Sequence, residues 1–393
     1  MKPKIRFKGF EEEWKAPLFS EMVERISASG QAGMLPGVEF EDIASGEGCF
    51  NKNIYQKECH KYGKLFYEGD ILFGKLRPYL KNIILADFNG VAIGDFWVLR
   101  SKGLDEKYLY TLVNSESFLK VANISSGSKM PRADWNLVST TKFVVPSAKD
   151  EQKAIGKYFT SLDSQISAAT SRLASLKQMK AASLQAMFPQ EGETVPKIRF
   201  KGFEGEWTWL KLGDISEQVK RKAPINSTAP VMMISALNGF INQSEKYSDN
   251  NAGSSLANYT LLKKGELSYN HGYSKTRNFG SCFNLLVEEA RIPFVYHSFR
   301  LTNDNDSFYA YYLNSGTKDK DLKRLVSSTA RMDGLLNISF KNYMELSVPH
   351  PSLAEQQAIA SYFTSLDRQI SLQSQRLEKL KQIKSACLDK MFV

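Results

Sequence analysis

The sequence predicts an α+β fold in which two mixed α/β domains are separated by two long helices, packed as an antiparallel coiled coil with approximate two-fold symmetry. Two repeats and the unrelated sequence between them carry this prediction. Pro3–Trp14 recurs as Pro196–Trp207 with one substitution. Residues 151–188 align without gaps with 355–392, and 23 of the 38 positions are identical. One structural frame is therefore used twice.

The segments inside the frame differ from each other. Residues 15–145 and 208–348 share little sequence, so we expect two domains that bind two different things in a fixed relation. The length of 393 residues allows two or three domains with substantial cores. The expected parts are a first domain at 1–148 with its leading repeat 3–14, a first helix at 149–188, a linker, the second repeat 196–207 and a second domain within 189–350, and a second helix at 351–393.

The long repeat has the periodicity of a coiled coil, because its apolar residues alternate at spacings of four and three. Ser352 and Glu355 predict a capping box where the second helix begins, and Pro189 is expected to end the first helix. The residues expected to pair the helices or dock partners are Ile155, Phe159, Leu162, Ile166, Leu173 and Leu176 in the first helix, and Ile359, Phe363, Leu366, Ile370, Leu377 and Leu380 in the second.

Each helix would span about 36 residues, or about 54 Å, and its apolar stripe needs a cover. The other helix is the obvious cover. We favour an antiparallel pair, because a parallel one would require the second domain to span the full helix length on its way back. Lys180 and Lys384 occupy matching seam positions. They either fix the register or mark where the seam opens toward another protein, or they extend along the seam edge toward solvent.

A loop with three cations and an aromatic residue is predicted in the first domain. Strand-like runs at 69–73 and 90–100 flank Gly74–Lys81, whose glycine and proline indicate a turn. A solvated turn is the simpler interpretation, but Arg and Lys side chains also recognise guanine edges in DNA. The candidate DNA contacts in this loop are Lys75, Arg77, Tyr79 and Lys81.

The second domain has a counterpart of this loop, Asn270–Asn278, after the strand-like run 265–269. Two loops at matching positions of a duplicated frame, with different polar tips, are what two different base sequences would require. That correspondence favours DNA recognition over a pair of ordinary turns. The candidate contacts here are Asn270, His271, Tyr273, Lys275 and Arg277.

A second polar segment follows in each domain, at 125–135 and 327–334. Small hydroxyl residues beside a cation suit phosphate contacts, and they equally suit a loop that caps the next element. The candidates are Ser128, Lys129, Arg132 and Arg331.

Charge and composition limit the functional classes. The net charge of +10 favours a polyanionic partner without proving one. We expect no secretory signal and no membrane association, because the first residues are charged and no apolar run approaches 18 residues. The four scattered cysteines suit a reducing cytoplasm. We find no phosphate-binding glycine loop, no aminomethyltransferase tetrapeptide and no spacing typical of a metal site, so no catalytic centre and no cofactor are expected in this chain.

These motifs resemble the specificity subunit of Type I restriction–modification systems, over essentially the whole chain. The most specific stretches are the two Glu-Gln-x-Ala-Ile-x-x-Tyr-Phe-Thr-Ser-Leu-Asp helices, the loop at 69–80 and the segment at 127–135. The second domain keeps only a faded form of the loop motif.

The resemblance implies that each domain is a target recognition domain reading one half of a bipartite, asymmetric site in double-stranded DNA. The helices would act as spacers and dock two modification subunits, which methylate adenine with S-adenosylmethionine. Restriction subunits carrying the motor would join for cleavage, and ATP and magnesium would belong to these partners. Two alternatives remain at this point: a single-chain restriction–modification enzyme, and a coiled-coil scaffold without DNA specificity.

Overall fold

The computed structural model describes residues 3–33, 35–57, 59–124, 130–224, 226–245, 256, 258–326 and 336–392. The chain divides into two compact units, one formed by residues 1–173 and 372–393 and the other by residues 174–371. Each unit contains one mixed α/β domain and parts of both long helices, so the predicted α+β class is confirmed.

Short strands dominate the first domain. They are β1 (Val23–Ile26), β2 (Ser29–Gln31), β3 (Gly37–Val38), β4 (Ile43–Ala44), β5 (Cys49–Phe50), β6 (Tyr62–Phe66), β7 (Ile71–Gly74), β8 (Ile83–Leu85), β9 (Gly90–Ala92) and β10 (Phe96–Ser101). The helices are α1 (Phe19–Met22), α2 (Glu106–Val113), α3 (Glu116–Ala122), α4 (Trp135–Thr140) and α5 (Lys149–Ala186), of which α5 continues into the second unit.

Two four-stranded sheets organise this domain, in the orders β1-β10-β7-β8 and β2-β6-β9-β3. Strand β7 is buried on both faces. Ile71 and Phe73 pack into the core shared with the helices, whereas Leu72 packs into a second core with Val98. Burial on both faces explains why β7 reads as a continuous apolar run rather than an alternating one.

The predicted strand-like run 90–100 forms two strands instead of one. Strand β9 ends at Ala92 and β10 begins at Phe96. Between them Gly94 has φ +94°, a left-handed conformation that favours glycine. The chain turns there, and Asp95 lies at the turn.

The second domain repeats part of this arrangement. Its strands are β11 (Thr208–Lys211), β12 (Ser216–Gln218), β13 (Met232–Ser235), β14 (Gly239–Asn242), β15 (Thr260–Lys263), β16 (Leu267–Asn270), β17 (Ser281–Asn284), β18 (Glu289–Ile292), β19 (His297–Leu301) and β20 (Ser347–His350). Its helices are α6 (Asp306–Leu313), α7 (Asp319–Leu325), α8 (Phe340–Met344) and α9 (Leu353–Met391), of which α9 ends in the first unit.

The β12-β19-β16-β17 sheet of the second domain matches the β1-β10-β7-β8 sheet of the first in order and direction. The β16–β17 connection therefore corresponds to the β7–β8 connection. These two connections contain the polar loops that the sequence singled out.

The twelve-residue repeat anchors the start of a long helix in the first unit. Arg6 donates from Nε and Nη2 to the two carboxylate oxygens of Glu151 at 2.6 and 2.8 Å. Trp14 Nε1 donates to the same carboxylate at 3.2 Å. Glu151 is fully buried, so the repeat supplies the partners that a buried carboxylate requires.

The second copy of the repeat makes the same anchor in the second unit. Arg199 donates to both oxygens of Glu355 at 2.7 and 2.8 Å, and Trp207 Nε1 donates at 3.1 Å. The backbone N–H of Glu355 bonds to Ser352 Oγ at 3.3 Å, as the predicted capping box requires. The Glu355 carboxylate turns to Arg199 instead, so only half of that box forms.

The two long helices run antiparallel within each unit. In the first unit Lys384 of α9 lies 2.5 Å from Asp163 of α5. In the second unit Lys180 of α5 lies 2.5 Å from Asp367 of α9. Both residues of one pair recur in the other at the offset of 204, so the frame contains the same Lys–Asp pair twice. The pairing agrees with the register-fixing alternative for the two seam lysines.

The predicted seam residues differ in how deeply they are buried. Several are buried in the domain cores: Ile155, Phe159 and Leu162 in the first unit, and Ile359 and Phe363 in the second. Ile166, Leu176 and Leu366 are also buried, whereas Leu173, Ile370, Leu377 and Leu380 are half-buried. Among the helices described, none is long and apolar enough to cross a membrane.

Candidate nucleic-acid interface

The β7–β8 loop of the first domain has an unusual backbone. A 3₁₀ turn, Pro78–Leu80, is flanked by Arg77 at φ +50° and Lys81 at φ +53°. Among the described residues these two are the only ones other than glycine with positive φ. A left-handed residue with a Cβ costs about 1–2 kcal/mol. Such conformations concentrate at functional sites, and here they fix the directions of two cations.

The loop pairs with the second polar segment of the domain. Arg77 N donates to Pro131 O at 2.8 Å, and Ala133 N donates to Lys75 O at 2.8 Å. Leu76 and Arg132 face each other as an antiparallel bridge. The structure thus brings together two segments, about 55 residues apart in sequence, that were predicted separately.

Asp95 joins both segments through its carboxylate. Lys75 Nζ lies 3.2 Å from Asp95 Oδ1, and Arg132 Nη2 lies 3.1 Å from Oδ2. Burial alone would raise the pKa of the Asp95 carboxyl, but hydrogen bonds from Lys75 and Arg132 outweigh it and hold that pKa below its usual value. Two of the predicted contact cations are therefore already paired within the protein. Asp95 could not be predicted from local sequence, because only the fold brings it to the loop.

The tip of the loop is open to solvent. Tyr79 is 56% exposed, and Arg77 and Lys81 are exposed. Within the described part of the chain, the Arg77 and Tyr79 side chains have no hydrogen bond or ion pair, while Lys81 has only a longer-range attraction to Glu116. A cation–aromatic–cation sequence of this kind can contact phosphates and base edges. Ser128 and Lys129 lie outside the described residues.

The corresponding β16–β17 loop of the second domain presents a different tip. Ser274 and Arg277 bridge each other and close a tight turn, and Ser274 Oγ accepts from Arg277 N at 3.0 Å. Tyr273 is 63% exposed and Lys275 is exposed. Burial lowers the pKa of the Arg277 guanidinium, and attraction to Asp319 opposes that shift. The tip thus presents an aromatic side chain and a cation, with a half-buried arginine beside them.

His271, one of the predicted DNA contacts, is buried beneath the surface of this loop. Its side chain is 3% exposed. Nδ1 lies 2.6 Å from Leu336 O, and Nε2 lies 3.0 Å from Val295 O. A backbone carbonyl lies within hydrogen-bond distance of each ring nitrogen, so His271 packs between the loop and two neighbouring segments.

Asn270 is also engaged inside the protein. Its Nδ2 donates to Ile234 O at 3.2 Å, and its Oδ1 accepts from Gly272 N at 3.0 Å. The side chain therefore shapes the start of the loop. The remaining candidate of this domain, Arg331, lies outside the described residues.

The described residues contain no group of three or more His, Cys, Asp or Glu side chains placed to hold a metal ion. The ring nitrogens of His271 lie near backbone carbonyls, as does His297 Nε2, at 2.8 Å from Ile338 O.

Comparison with known proteins agrees with this architecture. Residues 204–382 match the family model of the Type I restriction modification DNA specificity domain. A 120-residue stretch is 25% identical to the Type I restriction enzyme EcoDI specificity subunit of Escherichia coli, and it covers 29% of this chain and 27% of that protein. The aligned part is thus about a quarter of the length of that relative.

Solved structures extend the similarity over the whole chain. The S subunit of a Type I restriction–modification system from M. genitalium superposes with a TM-score of 0.63 at 15% identity, covering 100% of this chain and 99% of that one. The HsdS subunit from Thermoanaerobacter tengcongensis gives 0.43 at 18% identity, covering 97% and 96%. The first of these shows a common fold. Residues 204–382 thus match the model of the Type I restriction modification DNA specificity domain, and the whole chain shares the fold of the M. genitalium S subunit.

Proposed function

We propose that the chain is the DNA-recognition subunit of a Type I restriction–modification complex and that each domain reads one half of a bipartite, asymmetric site. The observation that carries the proposal is the pair of corresponding loops, β7–β8 and β16–β17, which hold different polar tips in one duplicated sheet. A shared frame with different tips suits the recognition of two different base sequences.

The proposed contacts differ in role. In the first domain Arg77, Tyr79 and Lys81 contact DNA directly, because their side chains are exposed. In the second domain the exposed Tyr273 and Lys275 contact DNA, together with the half-buried Arg277 beside them. Ser128, Lys129 and Arg331 remain proposed contacts on the sequence pattern alone. The net charge of +10 adds salt-dependent affinity that does not discriminate between sequences.

The remaining functions belong to partners. Two modification subunits dock on the long helices and methylate adenine with S-adenosylmethionine, and restriction subunits with a motor use ATP and magnesium. To act on a base inside a duplex, a methyltransferase must first flip it out. This chain, acting in the cytoplasm without chemistry of its own, holds the DNA at the chosen site while a partner acts.

A genome-wide map of methylated adenines, in the host with and without this gene, tests the proposal. We expect deletion to remove one two-part motif with a fixed unread gap. If the system is silent in the host, the co-expressed complex with its modification subunits, incubated with S-adenosylmethionine and random-sequence DNA, replaces the map. Methylation without a two-part preference in that assay would contradict the proposal.

A further inference from the structure

An acidic residue lies beside the β7–β8 loop of the first domain, at a place where a DNA-binding surface should avoid one. Asp95 lies on the β9–β10 turn and pairs with Lys75 and Arg132. A carboxylate near DNA repels phosphates and neutralises cations that could otherwise contact them. We therefore expect Asp95 to have a structural role that offsets this loss of DNA affinity.

Three chain segments meet at this carboxylate. Lys75 N donates to Asp95 O at 2.9 Å, Ala133 N donates to Lys75 O, and Arg77 N donates to Pro131 O. The ion pairs therefore join the two edges of the short ladder from which the left-handed Arg77 emerges. Asp95 is 29% exposed and Lys75 33%, so this pair is partly shielded from solvent, whereas Arg132 is 52% exposed.

The second domain closes its corresponding loop differently. Leu336 N donates to His271 O at 2.8 Å, and the His271 ring bonds to backbone carbonyls. Among the residues described there, no carboxylate lies within ion-pair distance of His271. In the described parts of the chain, only the first domain has a carboxylate that pairs with two cations at this loop, so the second domain serves as an internal comparison.

We propose that Asp95 is a positioning residue for half-site recognition: it holds Lys75 and Arg132 away from the phosphates and fixes the loop that presents Arg77, Tyr79 and Lys81. The inference rests on the proposed DNA-recognition function. It implies that Asp95 decreases the affinity for DNA and increases the specificity for one half-site. The carboxylate lowers sequence-independent binding and in return orders the loop that discriminates between bases.

Asp95→Asn tests this directly, because it removes the charge and keeps the backbone bond from Lys75. The full chain, with its modification subunits, is first used to select its site from a randomised duplex library. Binding is then measured on the selected duplex and on duplexes with one half-site scrambled, over a range of salt concentrations.

We expect the variant to bind scrambled DNA more tightly, with a log–log salt slope steeper by about 0.9 for each cation that gains a phosphate. The ratio of affinities for the selected and the scrambled form of one half-site should fall at least about five-fold. This is the lower end of the discrimination that one good base contact provides. Discrimination at the other half-site should not change. Asp95→Glu, which keeps the charge, should restore at least part of the lost discrimination.

Glu39→Gln is the matched control. Glu39 also joins two cations in the first unit, Lys57 at 2.5 Å and Lys61 at 2.6 Å, and neither cation belongs to the β7–β8 loop or to the segment that pairs with it. It should leave discrimination unchanged. Thermal unfolding of all variants is measured in parallel.

The outcomes separate two failures. If the wild-type complex selects no two-part site, the proposed function fails. If it does, and Asp95→Asn weakens binding to all DNA alike, Asp95 is only structural. If binding to all DNA tightens with unchanged discrimination, Asp95 only screens charge. Either of these last two results overturns the inference.

Discussion

Arg77 has a left-handed backbone conformation, which is unfavourable for a residue with a side chain. At φ +50° a residue with a Cβ loses about 1–2 kcal/mol relative to its preferred regions, and a glycine at the same place would not. The retention of arginine in this conformation is explained if its guanidinium is needed at the loop tip. Stability is then exchanged for binding, a common relation at functional sites.

Arg77→Gly and Arg77→Ala separate these two effects. Both remove the cation, so both should weaken binding to one half-site about equally. Only glycine relieves the left-handed strain, so Arg77→Gly should be more stable than Arg77→Ala, by up to about 1 kcal/mol after the entropy of the unfolded chain is counted. Chemical denaturation and binding to half-scrambled duplexes measure the two quantities. Equal stabilities would mean that the conformation is not strained.

Glu151 shows what the short repeat contributes at single residues. Replacing it by Gln keeps the shape but places an amide N–H₂ among the donors of Arg6 and Trp14. We expect a loss of about 2 kcal/mol of unfolding free energy, as for hydrogen bonds to a buried charge. Glu116→Gln, which alters an exposed pair with Lys120, should change little. A similarly small effect of both would show that the anchor is not structural.

At the scale of single residues, the sequence predicts the features that depend on one segment alone. The loop positions and their exposed tips, Arg77, Tyr79 and Tyr273, follow from local turn signals. The buried His271 and the paired Lys75 could not be predicted in the same way. Their partners, Leu336 and Asp95, are brought near only by the strand order of the sheet.

At the scale of elements, the periodicity of the repeats predicted both long helices within a few residues of their observed bounds, Lys149–Ala186 and Leu353–Met391. The heptad pattern also identified Lys180 and Lys384 as unusual. It did not reveal their partners, because an apolar seam leaves the antiparallel register open. Asp163 and Asp367 occupy equivalent positions of the two long repeats, 204 residues apart. That equivalence is the feature of the sequence from which the partners could have been identified.

The two Lys–Asp pairs should be specific for their partners. Lys384→Asp places two carboxylates together at a site where both groups are only 17% exposed, so it should destabilise the protein more than Lys180→Asp, whose pair is more exposed. Adding Asp163→Lys should restore at least part of the loss from Lys384→Asp, whereas adding Asp367→Lys should not. Thermal unfolding of the single and double variants decides this. Restoration by either lysine would show that net charge, and not the pairing, matters.

At the scale of the whole molecule, the duplication predicted two separate domains, and the structure contains two compact units. The sequence did not predict how the long helices are divided. Each begins in one unit and ends in the other, so residues 149–173 pair with the end of α9 and residues 174–186 pair with its beginning. Each unit is therefore completed by a segment distant in sequence, an arrangement that follows from chain order only after the antiparallel pairing is known.

Because α5 and α9 pair in both units, their lengths must match between the two Lys–Asp pairs. Inserting seven residues after Leu173 in α5 alone should prevent Asp163–Lys384 and Lys180–Asp367 from forming together, because α5 then outgrows α9. Inserting seven residues after Ser371 in α9 as well lets both pairs form again. The heptad keeps the apolar stripe nearly in place, with a drift of about 20°. The single insertion should lower the thermal stability, and the double insertion should recover it.

The double insertion also tests whether the helices set the distance between half-sites. Seven residues add about 10.5 Å to each helix, and base pairs are spaced by about 3.4 Å. The unread gap of the site selected by the full complex should then lengthen by about three base pairs, while both half-site sequences stay the same. A stable double variant that selects the original gap would show that something other than helix length sets it.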